Sequence, residues 1–222
     1  MNKVFGLFGA GGFAKEAIFL AGSALDEKFG SRKNVELLIV VRDCEELTAP
    51  SSLLGVPVVT ETAFLALDAE RWYNIAIANS KIRERISAQI GGVATPLTLF
   101  DSSARRLGPS DIAPGAIVCP FSMVSADTRI GKFFHLNYYS YVAHECSIGD
   151  FVTFAPGVKC NGNVSIGDHV YVGSGAVIRN GRPDIPLTIG KGAVIGMGAV
   201  VTSSVPEHTV VAGNPARPLD RR

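Results

Sequence analysis

From Ile112 onward the chain repeats every six residues. Ile112, Val118, Val124, Ile130, Leu136, Val142, Ile148, Phe154, Cys160, Ile166, Val172 and Ile178 are all apolar. With about half of all residues apolar, such a run arises by chance roughly once in 4,000 trials. The pattern breaks and resumes at Ile189, Ile195 and Val201. The residue after each anchor is often small: Ala113, Gly131, Ala143, Gly149, Ala155, Gly167, Gly173, Gly190 and Gly196. No α-helix has a six-residue period, and an ordinary strand has a period of two. A three-sided parallel β-coil satisfies the pattern. Each hexad is one flat side and its corner, the anchor points to the axis, three hexads close a turn, and turns stack at about 4.8 Å. The break at 179–188, with Arg182, Pro183, Asp184 and Pro186, reads as a loop extruded from one corner or as a tolerated surface insertion.

The first half, about 1–100, has a different rhythm. Strand patterns at Lys3–Phe8, Val35–Val41, Val56–Val59, Tyr73–Ala78 and Pro96–Phe100 alternate with helical patterns at Phe13–Ala24, Ala63–Leu67 and Lys81–Ile90. Such alternation predicts a parallel sheet with crossover helices. Hydrophobic residues at 47% exclude intrinsic disorder, and a net charge of +1 gives no drive toward nucleic acid or anionic membrane. Cysteines at 44, 119, 146 and 160 form no C-x-x-C pair, so a zinc ribbon or thioredoxin motif is excluded and reduced thiols are expected. No apolar run reaches the ~18–20 residues of a membrane span. Lys3, the apolar stretch after it and Ala21-Gly22-Ser23-Ala24 imitate a signal peptide, but Lys15 and Glu16 interrupt them. A cytoplasmic protein is expected.

The hexads of 110–215 resemble the hexapeptide-repeat family, whose fold is the left-handed parallel β-helix and whose members usually assemble as trimers. That resemblance implies about five coils. One class of the family, the γ-type carbonic anhydrases, binds zinc through histidines. Here His135 lies five residues after its anchor, His144 two and His169 three. They do not share a slot, and no metal is expected.

Within Asn137-Tyr138-Tyr139-Ser140-Tyr141-Val142-Ala143-His144-Glu145-Cys146-Ser147-Ile148-Gly149-Asp150-Phe151 the likeness narrows. The segment resembles the sugar acetyltransferases of the sialic-acid O-acetyltransferase and bacillosamine N-acetyltransferase group. These place a Rossmann-like domain before the β-helix. The resemblance implies an α/β Rossmann-like nucleotide-sugar-binding domain at 1–100 and an all-β left-handed β-helix acyltransferase domain at 101–222. It makes His144 the general base and Glu145 its orienting carboxylate, which neighbours on a flat strand could be only at a corner. It places Asn137 near the acceptor sugar and the Gly162 amide near the thioester carbonyl. Thr153 stands where some members carry a coenzyme-contacting histidine. The ending Gly213-Asn214-Pro215-Ala216-Arg217 matches coenzyme A-using members and makes Arg217 a phosphate contact, with Lys191 and Arg179 as further candidates.

Gly9-Ala10-Gly11-Gly12 follows a strand and opens a helix, the setting in which backbone amides cradle phosphate. The domain lacks the second mononucleotide half of a dinucleotide site, and in the resembling group it holds the nucleotide of a nucleotide-linked sugar. Asp43 then falls where that group's acidic residue meets base or ribose, after an unusual Arg42. Asn79 is a candidate for the same pocket or a helix N-cap. The implied activity is acetyl-CoA-dependent N-acetylation of a nucleotide-linked 4-amino-6-deoxysugar in bacterial surface-glycan biosynthesis, with coenzyme A bound at a trimer interface. The alternatives are O-acetylation of sialic acid or a related sugar, a nicotinamide-dependent oxidoreductase, and a non-catalytic nucleotide-sugar-binding protein.

Overall fold

Lys3–Phe8 (β1) is a run of buried residues, and it pairs on both edges. Its neighbours are Glu36–Val41 (β2), reached through Gly12–Phe29 (α1), and Glu70–Ile75 (β5). Ser52–Leu53 (β3) turns antiparallel onto Val56–Thr60 (β4), which precedes Glu61–Ala66 (α2). Ser80–Ile90 (α3) leads to the edge strand Thr95–Pro96 (β6). The sheet order is β3-β4-β2-β1-β5-β6, parallel except for β3. This is a computed structural model, and it describes residues 2–45, 50–182 and 184–219. The chain divides into two compact units, Met1–Phe100 and Asp101–Arg222. No helix among the described residues is long and apolar enough to cross a membrane.

Four elements depart from the sequence expectation by more than one residue. Helix α1 runs past Ala24 to Phe29, because the signal that stops it is Gly30, left-handed at φ 76°. Strand β5 occupies Glu70–Ile75 rather than 73–78. Its register is set by β1, Lys3 to Glu70 through Phe8 to Ile75, and the ladder ends where Gly9 turns away at φ 114°. The last strand splits into Thr95–Pro96 and Leu99–Phe100. Pro96 has no N–H to extend a ladder and sits on the sheet edge, where that costs least. Helix α2 spans Glu61–Ala66, two residues earlier than expected at its start, because Thr60 caps it by accepting from the Ala63 amide at 3.2 Å.

In the second unit all fifteen anchors lie in strands, and every one but Ile112, on the first rung, is buried. Ile117 pairs with His135, His135 with Thr153 and Thr153 with Tyr171, an offset of 18 residues each time. Three hexads therefore close one turn, and the turns stack into three parallel sheets. The next offset, Tyr171 to Val194, is 23 residues, so the break inserts five. The inserted segment is shorter than 179–188, because Leu187 and Thr188 already rejoin the ladder opposite Val164 and Ser165. Pro183 of that segment lies outside the described residues.

The small residues after the anchors mark where rungs touch. A Cβ on Gly131 would stand 2.4 Å from Asp150 Oδ1, and one on Gly149 would stand 2.6 Å from Asp168 Oδ1. Those aspartates hold the corner together, since the Lys132 amide donates to Asp150 at 2.8 Å and the Asp150 amide to Asp168 at 2.9 Å. At the same corner Phe133, Phe151 and His169 all adopt positive φ and stack face to face, at 5.7 and 5.4 Å.

Candidate active site

His144 and Glu145 form the corner between the strands Tyr141–Val142 and Ser147–Ile148. Glu145 takes the left-handed turn at φ 60°. The bend brings neighbouring side chains together that a flat strand would send to opposite faces. His144 Nδ1 lies 2.9 Å from Glu145 Oε2, and both side chains are 63% exposed. In the neutral imidazole, an Nδ1–H donated to Glu145 leaves a lone pair on Nε2.

One rung above, Gly162 leaves room for the ring. A Cβ there would lie 2.5 Å from His144 Cε1 and 2.7 Å from Nε2. The imidazole is the movable partner, so Gly162→Ala is expected to swing it out of place without breaking the coil. We expect kcat to fall about tenfold with the unfolding midpoint nearly unchanged. Unaltered turnover would show that the ring position is unimportant.

The cleft at this corner has a volume of about 470 Å³. Ala143, His144 and Glu145 form one side, Asn161, Gly162 and Asn163 the next rung, and Asn180, Gly181 and Arg182 the wall beyond. That wall belongs to the inserted segment, which therefore borders the cleft. It is tied down by the Gly181 amide on the Gly162 carbonyl at 3.0 Å, by Asn163 Nδ2 on the Arg182 carbonyl, and by the Arg182–Ile185 bridge. Asn161 is fixed too, accepting from the Tyr141 hydroxyl at 2.8 Å and donating to the Ile178 carbonyl at 2.9 Å. Beneath the corner the Cys146 thiol donates to the Asn161 carbonyl at 3.3 Å; the neighbouring Cys160 draws the Cys146 pKa down, while Cys146 and burial raise that of Cys160.

The remaining expected residues of this unit lie elsewhere. Asn137 is buried, and its side-chain amide donates to the Phe154 carbonyl at 2.7 Å. Thr153 is buried in its strand between His135 and Tyr171. Lys191 pairs with Asp168 at 3.5 Å. Arg217 is exposed in a short antiparallel strand, its guanidinium donating to the Ala216 carbonyl at 2.9 Å. Arg179 is exposed where the insertion begins. Among the described residues, no three of His, Cys, Asp and Glu gather as a metal-ligand set.

The first unit has its own cleft, of about 340 Å³, at the C-terminal ends of β1, β2 and β5. Gly9, Gly11 and Gly12 line it together. Gly9 has no room for a side chain, since a Cβ would meet Ile77 Cγ1 at 2.8 Å. Gly11 and Gly12 face open space, and Gly11 caps α1 without a side-chain hydrogen bond, so the first amides of the helix point outward. Val40, Val41, Ile77, Ile82 and Ile86 supply an apolar wall, and Arg42 and Glu61 stand at its edge. Asp43 turns its carboxylate to the Thr62 amide at 3.2 Å, a bond that lowers its pKa. Asn79 caps α3, accepting from the Lys81 and Ile82 amides at 3.0 and 3.1 Å.

Two residues here gave no sequence signal. Glu61 falls in a stretch that reads as the approach to a short helix. Arg83 reads as the polar face of α3, yet its side chain is fully buried and donates to the Ile77 and Ala78 carbonyls, both at 2.9 Å. Burial lowers its guanidinium to about 9. Arg83 thereby fixes the segment that floors the cleft.

Comparison with known proteins places the chain in a known class. The family model for the bacterial transferase hexapeptide (six repeats) matches residues 145–180. The chain belongs to the hexapeptide-repeat sugar acetyltransferases. A GDP-perosamine N-acetyltransferase of Escherichia coli O157:H7 is 46% identical over 222 residues, covering 99% of this chain and 97% of that protein. The structure of WeeI from Acinetobacter baumannii AYE matches with 43% identity and a TM-score of 0.89, covering 98% of this chain and 100% of that one. The acetyltransferase domain of PglB from Neisseria gonorrhoeae FA1090, solved with acetyl coenzyme A, matches with 29% identity and a TM-score of 0.82, covering 99% and 100%.

Proposed function

We propose that this protein transfers the acetyl group of acetyl-CoA to the amine of GDP-perosamine, a 4-amino-6-deoxysugar linked to a guanine nucleotide, in surface-glycan biosynthesis. The observation that carries the reading is the 2.9 Å contact of His144 Nδ1 with Glu145 Oε2 at the mouth of an open cleft. The acceptor is inferred from the relative that matches nearly the whole chain. The first unit serves as a Rossmann-like nucleotide domain, with phosphate on the Gly9–Gly12 turn. The coil is the left-handed β-helix of its family, and three copies assemble with coenzyme A between them. Both substrates are cytoplasmic metabolites, which makes the cytoplasm the working compartment.

The chemistry follows from the corner. The amine lone pair attacks the thioester carbonyl, forming the C–N bond and a tetrahedral oxyanion. His144 Nε2 takes the extra proton from nitrogen, and Glu145 stabilises the imidazolium from the other side. Collapse of the intermediate breaks the C–S bond, and the imidazolium returns its proton to the departing thiolate. The Gly162 amide is the candidate oxyanion donor.

Glu145→Gln keeps the shape of the side chain but loses its charge and its preference for an Nδ1–H partner. Because the pair is largely exposed, the expected loss is moderate, about tenfold in kcat at saturating substrates. An unchanged kcat would remove Glu145 from the mechanism. The acceptor is tested by mass spectrometry after incubation of acetyl-CoA with GDP-perosamine, with UDP- and dTDP-linked 4-amino-6-deoxysugars, and with free and CMP-linked sialic acids. Acetylation of GDP-perosamine is expected. Modification of sialic acids alone would establish O-acetylation instead, and binding without any product would establish a non-catalytic role.

A further inference from the structure

The cleft of the first unit carries two charged side chains among its described lining residues, Arg42 and Glu61. The rest of the lining is glycine backbone, suited to phosphate, and apolar side chains, Phe8 and Phe13 among them, suited to a base or ribose face. Asp43, one residue beyond the end of the cleft wall at Arg42, is committed to the Thr62 amide. We propose that Glu61 selects the base of the nucleotide, accepting N1–H and N2–H of guanine on its two carboxylate oxygens. This rests on the reading that the acceptor sugar is carried as a GDP derivative.

The base edges make the choice specific. Guanine presents two adjacent N–H donors, which a carboxylate accepts side by side. Uracil and thymine present one N–H between two carbonyl oxygens, and adenine presents a ring-nitrogen lone pair beside its amine. Each of those would set a lone pair against the carboxylate, a penalty as well as a lost bond. Arg42 in the same cleft offers donors of the kind that meet guanine O6 and N7. The surroundings of Glu61 fit the role. Burial, and next the charge of Asp43, push its carboxyl pKa up against the opposing pull of Arg85. An anion short of water gains most from a pair of N–H donors.

The test is calorimetric titration of the full-length protein and of Glu61→Gln with GDP, inosine diphosphate, UDP and dTDP. Inosine diphosphate lacks the exocyclic amine and so removes one of the two bonds with no change to the protein. Glu61 is half-buried at the start of α2 and glutamine is isosteric, so the variant is expected to fold. The native protein is expected to bind GDP about tenfold or more tightly than UDP, dTDP or inosine diphosphate. In Glu61→Gln the GDP advantage should shrink about tenfold, with UDP affinity within about twofold of native. If the native protein binds GDP and acetylates GDP-perosamine while Glu61→Gln keeps the full GDP preference, the role of Glu61 is overturned and the proposed activity stands. An equal loss for all four nucleotides likewise overturns it. Failure of the native protein to bind GDP overturns both.

Discussion

Replacing His144 with alanine is expected to lower kcat for acetyl transfer to GDP-perosamine by about 10²–10⁴-fold, the range a positioned general base contributes. The variant keeps the cleft, the Gly162 amide and the coenzyme surface, so a residual rate from positioning alone should remain. KM for acetyl-CoA should change little. His144 is 63% exposed at a turn, and its loss should alter stability by no more than about 0.5 kcal/mol. Kinetics and a denaturation curve on the same preparation separate the two effects. A drop in kcat of less than about threefold would mean that proton transfer does not pass through this imidazole.

The second large effect is on stability. Phe154 is an anchor with no exposed surface, and its ring meets Phe134 edge-on at 5.2 Å on the axis of the coil. The carbonyl of Phe154 also accepts from both the backbone and the side chain of Asn137, at 3.0 and 2.7 Å. A smaller residue keeps those bonds but leaves a void that the flanking rungs cannot collapse into, because their backbones are already ladder-paired. Phe154→Ala is expected to cost about 3–5 kcal/mol, read from the shift of the urea unfolding midpoint. A cost below about 1 kcal/mol would show that the rungs can close on the void.

The sequence marked the coil because burial there is strictly periodic, one inward residue in every six, and because a corner with rungs stacked above it has no space for a Cβ. The insertion was visible as a break in that period, but not its position against the His144 cleft. Its ties are hydrogen bonds to the backbone of Gly181 and Arg182, which leave no trace in hydropathy. His144, Glu145 and Gly162 were found by motif likeness, and all three meet at one corner. Asn137, also found by likeness, is buried in the coil with its side-chain amide donating to the Phe154 carbonyl. In the first unit the glycine turn was legible because strand, turn and helix follow in order. The placement of Glu61 in the cleft lining and of Asp43 on the Thr62 amide was not. Which of two acidic side chains faces the cleft depends on which one the Thr62 amide captures. Arg83 was hidden because a helix-face pattern marks position around the axis, not whether the neighbouring floor segment will cover it.

The most direct measurement is the structure of the product formed from acetyl-CoA and GDP-perosamine by the native protein, read by NMR. An acetamide on the sugar nitrogen, formed in step with one equivalent of free coenzyme A thiol, is the expected result. An acetate ester on a sugar oxygen, or no product from a protein that binds both substrates, would contradict the proposed N-acetyltransferase activity.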